Sequence, residues 1–183
     1  MERRDEAYVL RTQELAEADL IVTLLAEHHG KVRGVARSAR RSQRRFGGGL
    51  APLTHVRAQW DEREGRELHR IEGLECVRSF APMQAEPVLQ AACAVLAELA
   101  ESFSHEGQSD PRAARLLGAV LAALEAGLEP WTAVRYFEYW TLRLHGILPD
   151  WTVCAGCGRE LGRAARGRVE PHGAIACAGC ATP

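Results

Sequence analysis

The chain lacks every short motif that would mark it as an enzyme of a familiar kind. It has no GxxxxGK[ST] phosphate loop, no GxSxG nucleophile elbow and no HExxH metal helix. Neither half of the zinc-deaminase pattern, H-x-E followed by PCxxC, occurs. No apolar run approaches the length of a membrane span, and Met1–Glu6 is too charged for the apolar core of a signal peptide. These absences lead us to expect a soluble, cytoplasmic, non-enzymatic protein with no membrane partner. Aromatics are also scarce early on, where Tyr8, Phe46 and Trp60 are the only ones before Phe80. The most informative absence is of negative charge. No carboxylate stands between Glu27 and Asp61, a gap that holds Lys31, Arg33, Arg37, Arg40, Arg41, Arg44, Arg45 and Arg57. These are eight of the 23 basic residues, so the rest of the chain sets fifteen basic against 24 acidic residues, a net of −9 behind an overall charge of −1. Such a concentrated field attracts polyanions and does little for folding. Taken alone, the run reads equally well as a solvated loop.

The segments flanking the gap read as β-structure. Ala7–Thr12 is a short apolar strand, and Leu20–Leu25 is dense enough in branched residues to be buried on both faces. Lys31–Ala36 alternates around Val32 and Val35, with Gly34 at a bulge or barrel bend. Thr54–Trp60 places Val56, Ala58 and Trp60 on one face, and Glu67–Leu74 returns after a hairpin loop at 61–65. Five short antiparallel strands fit a small closed barrel without exposed edges, either of the oligonucleotide-binding (OB) kind or SH3-like. Gly47, Gly48 and Gly49 precede Leu50-Ala-Pro and no helix start, so they read as a flexible linker. After Phe80 the period becomes helical. Pro87 and Asp110-Pro111 open two helices, Pro130 opens a third, and Gly127 and Gly146 are stops. Three of the four tryptophans fall between 131 and 151, and that aromatic stripe is expected to be core.

Six cysteines include two pairs, Cys154-Ala-Gly-Cys157 and Cys177-Ala-Gly-Cys180, separated by nineteen residues. Each pair offers two thiolates on one tight turn, and the intervening loop lets the pairs converge. The pattern predicts one structural Zn²⁺ held by Cys154, Cys157, Cys177 and Cys180, with no open position for a substrate. Zinc binding of this kind contributes on the order of 10 kcal/mol to folding of its module. His172 reads as a surface histidine and not a ligand, and Cys76 and Cys93 as ordinary buried residues.

Several segments resemble the family of the bacterial recombination mediator RecO. They are Tyr8-Val-Leu-Arg-Thr12, Glu17-Ala-Asp-Leu-Ile-Val-Thr-Leu24, His29-Gly-Lys31, Ala36-Arg-Ser-Ala-Arg-Arg41 leading to Arg45-Phe-Gly-Gly48, and Leu50-Ala-Pro52. Farther on, Arg135-Tyr-Phe-Glu138, His145-Gly-Ile-Leu-Pro149 and Cys154-Ala-Gly-Cys-Gly158 are similar to the family's approach to its zinc knuckle. The resemblance implies an α+β protein with an OB-fold barrel over residues 1–80. An all-α domain over 81–183 would follow, carrying a four-cysteine zinc finger at 154–180. It further implies binding of single- and double-stranded DNA, annealing of complementary strands, and cooperation with RecR and single-strand DNA-binding protein. Loading of the RecA recombinase and association with the nucleoid are part of the same implication. Family members usually continue for several dozen residues after the second CxxC, whereas this sequence stops at Pro183, so it looks C-terminally short. Contacts made by those last helices are not carried over.

On this reading Lys31, Arg33, Arg37, Arg40, Arg41, Arg44 and Arg45 are the DNA-binding residues. Guanidinium groups grip phosphate bidentately without reading bases. The scarcity of aromatics argues against base stacking and leaves bases free to pair. Five neutralised phosphates would give a salt slope of about −3.5 on single strands. Two other functions share these features, an RNA-binding barrel with a zinc ribbon and a scaffold whose arginines bind an acidic protein tail.

Overall fold

The computed structural model describes residues 1–62, 65, 67–162, 167–170 and 173–181. Its strands are β1 (Glu2–Glu14), β2 (Leu20–Ala26), β3 (Gly30–Ala36), β4 (His55–Asp61), β5 (His69–Arg78), β6 (Gly167–Val169) and β7 (Ile175–Cys177). The helices are a single turn α1 (Gln43–Phe46), then α2 (Pro87–Phe103), α3 (Pro111–Glu125) and α4 (Pro130–Leu144). A 3₁₀ turn, Ala81–Ala85, precedes α2.

β1 pairs antiparallel with β2 and β4, β2 with β3, and β4 with β5. β3 closes onto β5 in parallel, with Gly34, Val35 and Ala36 opposite His69, Arg70 and Ile71. The order β1-β2-β3-β5-β4 makes a closed barrel, the five-stranded OB arrangement that the family resemblance implied and that alternation alone left open against an SH3-like barrel. The parallel β3–β5 closure corrects the all-antiparallel expectation, because barrel closure joins strands that alternation cannot orient. Its interior takes Val9, Val22, Leu24, Val32, Val56, Ala58, Trp60, Ile71 and Leu74. Full burial of a residue such as Leu24 or Ile71 stabilises by about 1.5–3 kcal/mol. The register of β3 against β2 runs unbroken through Gly34, and the irregularities lie in β1 between Val9 and Arg11 and in the β4–β5 pairing at His55/Val56 and Gln59/Trp60. Val9 and Leu10 are both under cover on opposite faces of β1, Val9 inside the barrel and Leu10 against the helices.

By compactness the chain divides into Met1–Glu138 and Tyr139–Pro183. In the first unit, one flank of the barrel is covered by helices. Leu10, Leu25, Leu53 and Phe80 share a core with Ala92, Leu96, Leu117, Leu121 and Phe137. β2 is therefore buried on both faces, Leu24 inward and Leu25 against the helices. α2 starts at Glu86, whose carboxylate accepts from the Leu89 N–H, and α3 at Asp110, which accepts from the N–H groups of Arg112 and Ala113.

Three sequence expectations need correction. The 47–49 segment is no flexible linker. Gly49 is buried, and a Cβ there would lie 2.7 Å from the Leu74 carbonyl oxygen, so only glycine lets this loop pack on β5. Cys93 is buried as expected, its thiol pushed up to about 11 by burial, but Cys76 is exposed on β5. The tryptophan stripe is only partly core. Val134 and Phe137 are buried, while Trp131, Trp140 and Trp151 are 46%, 38% and 39% exposed. In the second unit Tyr139 meets Trp140 and Trp151 at ring distances of 5.4 and 5.7 Å, and the Trp151 indole donates to the Gly173 carbonyl. That unit also contains the β6–β7 hairpin, inside the 154–180 segment that carries the paired cysteines. Among the described residues no helix is long and apolar enough to cross a membrane.

Candidate nucleic-acid interface and metal centre

The arginine-rich segment leaves β3 at Ala36, turns through 37–42, forms α1 and returns along 47–54 to β4. Phe46 roots it. Its ring is 1% exposed and belongs to the barrel interior, and the Arg45 guanidinium lies 5.0 Å from its centroid. Arg45 also donates to the Arg37 carbonyl (2.8 Å) and the Ser42 hydroxyl (3.2 Å), stapling the turn at both ends. The segment is thus a built loop on a barrel.

The structure sorts the seven sequence-assigned residues into three groups. Lys31 and Arg33 lie on β3 beside the loop joining α2 to α3. Lys31 Nζ donates to the Glu101 carbonyl at 3.2 Å, and Arg33 lies 3.8 Å from the Glu106 carboxylate. Arg40 and Arg41 reach back to Glu14 and Glu17, the latter pair at 2.7 Å. Arg37 and Arg44 are exposed and have no carboxylate partner among the described residues. The carboxylate-free stretch of sequence is therefore not free of carboxylates in space, because β1, its following loop and the α2–α3 loop supply them.

Two clefts border the segment. One, of about 590 Å³, gathers Arg4, Arg44, Arg45 and Arg57 with Glu72 and Glu75 on the outer face of β4 and β5. Arg57 is tied to Glu75 at 3.0 Å and to Glu6 at 3.4 Å, so charge there is largely balanced. The other, of about 510 Å³, sets Arg37 and Arg70 beside Leu15, Val35 and Leu68, with the acidic Asp19 and Glu67 also in its lining and Arg70 paired to Glu72 at 2.9 Å. Arg4 and Arg70 lie outside the carboxylate-free gap, and only strand pairing brings them to the loop. Arg57 stood inside the gap, and its position on β4 links it to the arginine cluster.

The four paired cysteines converge. Their sulfurs all lie within 4.8 Å of one another, and Cys157 Sγ is 3.9 Å from Cys177 Sγ. A tetrahedral ion with bonds of about 2.3 Å needs sulfurs roughly 3.8 Å apart, so the donor set fits a tetrahedral thiophilic cation. A Cβ on Gly156 would fall 2.9 Å from Cys180 Cβ, which accounts for a glycine within the first CxxC. Backbone N–H groups point at sulfur, with Cys177 N 3.2 Å and Gly156 N 3.4 Å from Cys154 Sγ. Such donors, chiefly those of Cys177 and Cys157, hold the Cys154 pKa down at about 6. Cys180, its thiol hydrogen-bonded to the sulfurs of Cys157, Cys177 and Cys154, is pushed up to about 12. Four adjacent thiols cannot all ionise unaided, and a divalent cation bound there would supply the missing charge. His172, set aside as a ligand from sequence, lies outside the described residues.

The family model described as recombination protein O N terminal matches residues 1–80, and the one described as recombination protein O C terminal matches residues 84–183. A protein of Koribacter versatilis named DNA repair protein RecO is 42% identical over 163 residues, 88% of this chain and 66% of its own length. Proteins of the same name from Anaeromyxobacter sp. strain K and Geobacter sulfurreducens are 38% and 36% identical, over 94% and 97% of this chain and 68% and 72% of their own lengths. The chain spans about two thirds of the length of the first of these curated relatives.

Proposed function

Because this chain belongs to the recombination protein O family, we propose that it is a DNA-binding recombination mediator in DNA repair, without catalytic activity of its own. It binds single- and double-stranded DNA through phosphate contacts, anneals complementary strands, and helps load RecA together with RecR on DNA covered by single-strand DNA-binding protein. The supporting observation is the barrel-rooted arginine loop, with Arg37 and Arg44 exposed and without a carboxylate partner among the described residues. Guanidinium contacts of this kind bind the polyanion backbone and leave base edges free, which annealing requires. Arg45 and, once released from glutamate, Arg40 and Arg41 extend the surface. Lys31 and Arg33, engaged with the Glu101 carbonyl and Glu106, lie at its margin.

The four cysteines hold one structural Zn²⁺, which with four thiolates has no position for substrate and serves to order the β6–β7 region. The function proposed here places the protein in the cytoplasm, at the nucleoid. Equilibrium binding to a single-stranded oligonucleotide across a salt series tests the DNA reading. With Arg37, Arg44 and Arg45 paired to no carboxylate among the described residues, the slope of log affinity against log salt is expected at about −2. A slope near zero, or equal affinity after R37Q/R44Q substitution, contradicts the reading.

A further inference from the structure

Residues 14–19, the end of β1 and its loop to β2, fold over the start of the arginine segment. Four contacts join the two. Arg40 donates to the Glu14 carboxylate, and Arg41 Nη2 donates to Glu17 Oε1 at 2.7 Å. The Ser38 N–H donates to Asp19 Oδ1 at 2.7 Å, and the Arg40 N–H to the Ala18 carbonyl at 3.3 Å. Ser38 sits at φ +53°, in the left-handed region, so this anchor holds a turn that a serine adopts reluctantly. The acidic loop therefore does two jobs. Asp19 and the Ala18 carbonyl fix the backbone of the turn, while Glu14 and Glu17 occupy two guanidinium groups.

A carboxylate is the side chain closest in geometry to a phosphate for a guanidinium fork. Glu14 and Glu17 are 73% and 87% exposed at the side chain, so their ion pairs lie in a high dielectric and are individually weak. Pairs of that strength are reversible and open to displacement by a denser anion. We infer that Glu14 and Glu17 are built-in competitors for DNA phosphate, holding Arg40 and Arg41 in the free protein and yielding them when a polyanion binds. This rests on the reading of the arginine loop as the DNA-binding surface. The exchange of one anion for another releases few counterions, so these two arginines add little to the salt dependence of the wild-type protein. A long polyanion recovers the cost of displacing the glutamates over many phosphates, whereas a short acidic ligand does not, so the clasp favours DNA strands over small anions.

The experiment compares the full chain with its E14Q/E17Q variant, Asp19 being left in place to keep the turn. Binding to a labelled mixed-sequence single strand is followed by anisotropy over a salt series. The variant is expected to bind between about two- and tenfold tighter at low salt. Its slope should steepen from about −2 to about −3.5, because two more guanidinium groups now release counterions. Adding R40Q/R41Q to the variant should abolish the gain. Thermal melts of the variants show whether each is folded, and glutamines at such exposed positions are expected to leave the melt unchanged. A wild-type slope already near −3.5, or an unaltered or weaker affinity in folded E14Q/E17Q, overturns the competitor role while leaving the DNA-binding reading intact. Absence of salt-dependent binding by the wild-type chain overturns that reading and this inference together.

Discussion

Replacing Phe46 with alanine tests whether the arginine segment is a built surface or a tether. The ring is 1% exposed and packs within the barrel interior, with the Arg45 guanidinium over one face. Truncating a buried phenylalanine to alanine costs about 3–5 kcal/mol, from lost transfer energy and the cavity left behind. The compact unit ends at Glu138, a size for which 1 kcal/mol moves the melting midpoint by about 3–4 °C, so a fall of roughly 10–20 °C is expected. F46L keeps most of the volume and should cost less than about 1.5 kcal/mol. At 25 °C, where F46A is still folded, its DNA affinity should drop although no charge has been removed. The reason is that Arg45 donates to the Arg37 carbonyl from a helix turn that has lost its anchor. Thermal unfolding followed by circular dichroism, with anisotropy binding on the same samples, supplies both quantities. A midpoint within about 3 °C of wild type, or F46L as damaging as F46A, refutes the anchoring argument.

Metal content is a second prediction. Protein purified without chelator should carry one zinc per chain by elemental analysis, and C157S should release it, whereas a metal-free wild type with an ordered cysteine region would contradict the site. Stability should also depend on pH through Asp5. Burial alone would raise its pKa, but hydrogen bonds from His28 and His29 outweigh that and hold it below its ordinary value of 3.8. The contribution of Asp5 is therefore present above about pH 4 and fades as pH falls through the lowered value. His28 is raised above 6.5 by its hydrogen bond to the same carboxylate, so its contribution is full below pH 6.5 and fades as pH rises past the raised value. Urea midpoints should peak between about pH 4 and 6.5, and a D5N variant that keeps the decline above pH 6.5 would disprove the assignment.

Much of the barrel was legible because each strand carries its own periodicity. Val56, Ala58 and Trp60 alternate inward as read, and the dense branched run of β2, interrupted only by Thr23, reports a strand covered on both faces. Helix starts were legible from Asp110-Pro111 and Pro87 because capping is a local property. The two CxxC pairs were equally readable, since spacing alone brings thiols together. The state of the arginines could not be read from their own neighbourhood. The partners of Arg40 and Arg41 are 26 and 24 residues earlier, and only the antiparallel pairing of β2 with β3, Leu20 opposite Ala36, brings them within reach. Exposure of the tryptophans was missed for a similar reason. Helical spacing marks Trp131 and Trp140 as belonging to α4 but does not say which residues of that helix the core covers. Gly49 read as flexibility because sequence shows the missing side chain and not the Leu74 carbonyl that occupies its place.

Strand annealing tests the central claim most directly. Complementary oligonucleotides, bare or coated with single-strand DNA-binding protein, are mixed with the full chain, and duplex formation is followed by fluorescence. Wild-type protein should accelerate annealing of both, and R37Q/R44Q should lose most of that acceleration while melting at the wild-type temperature. Duplex formation at the spontaneous rate under low-salt conditions where the protein is bound, or full activity in R37Q/R44Q, would contradict phosphate gripping by the arginine loop as the basis of function.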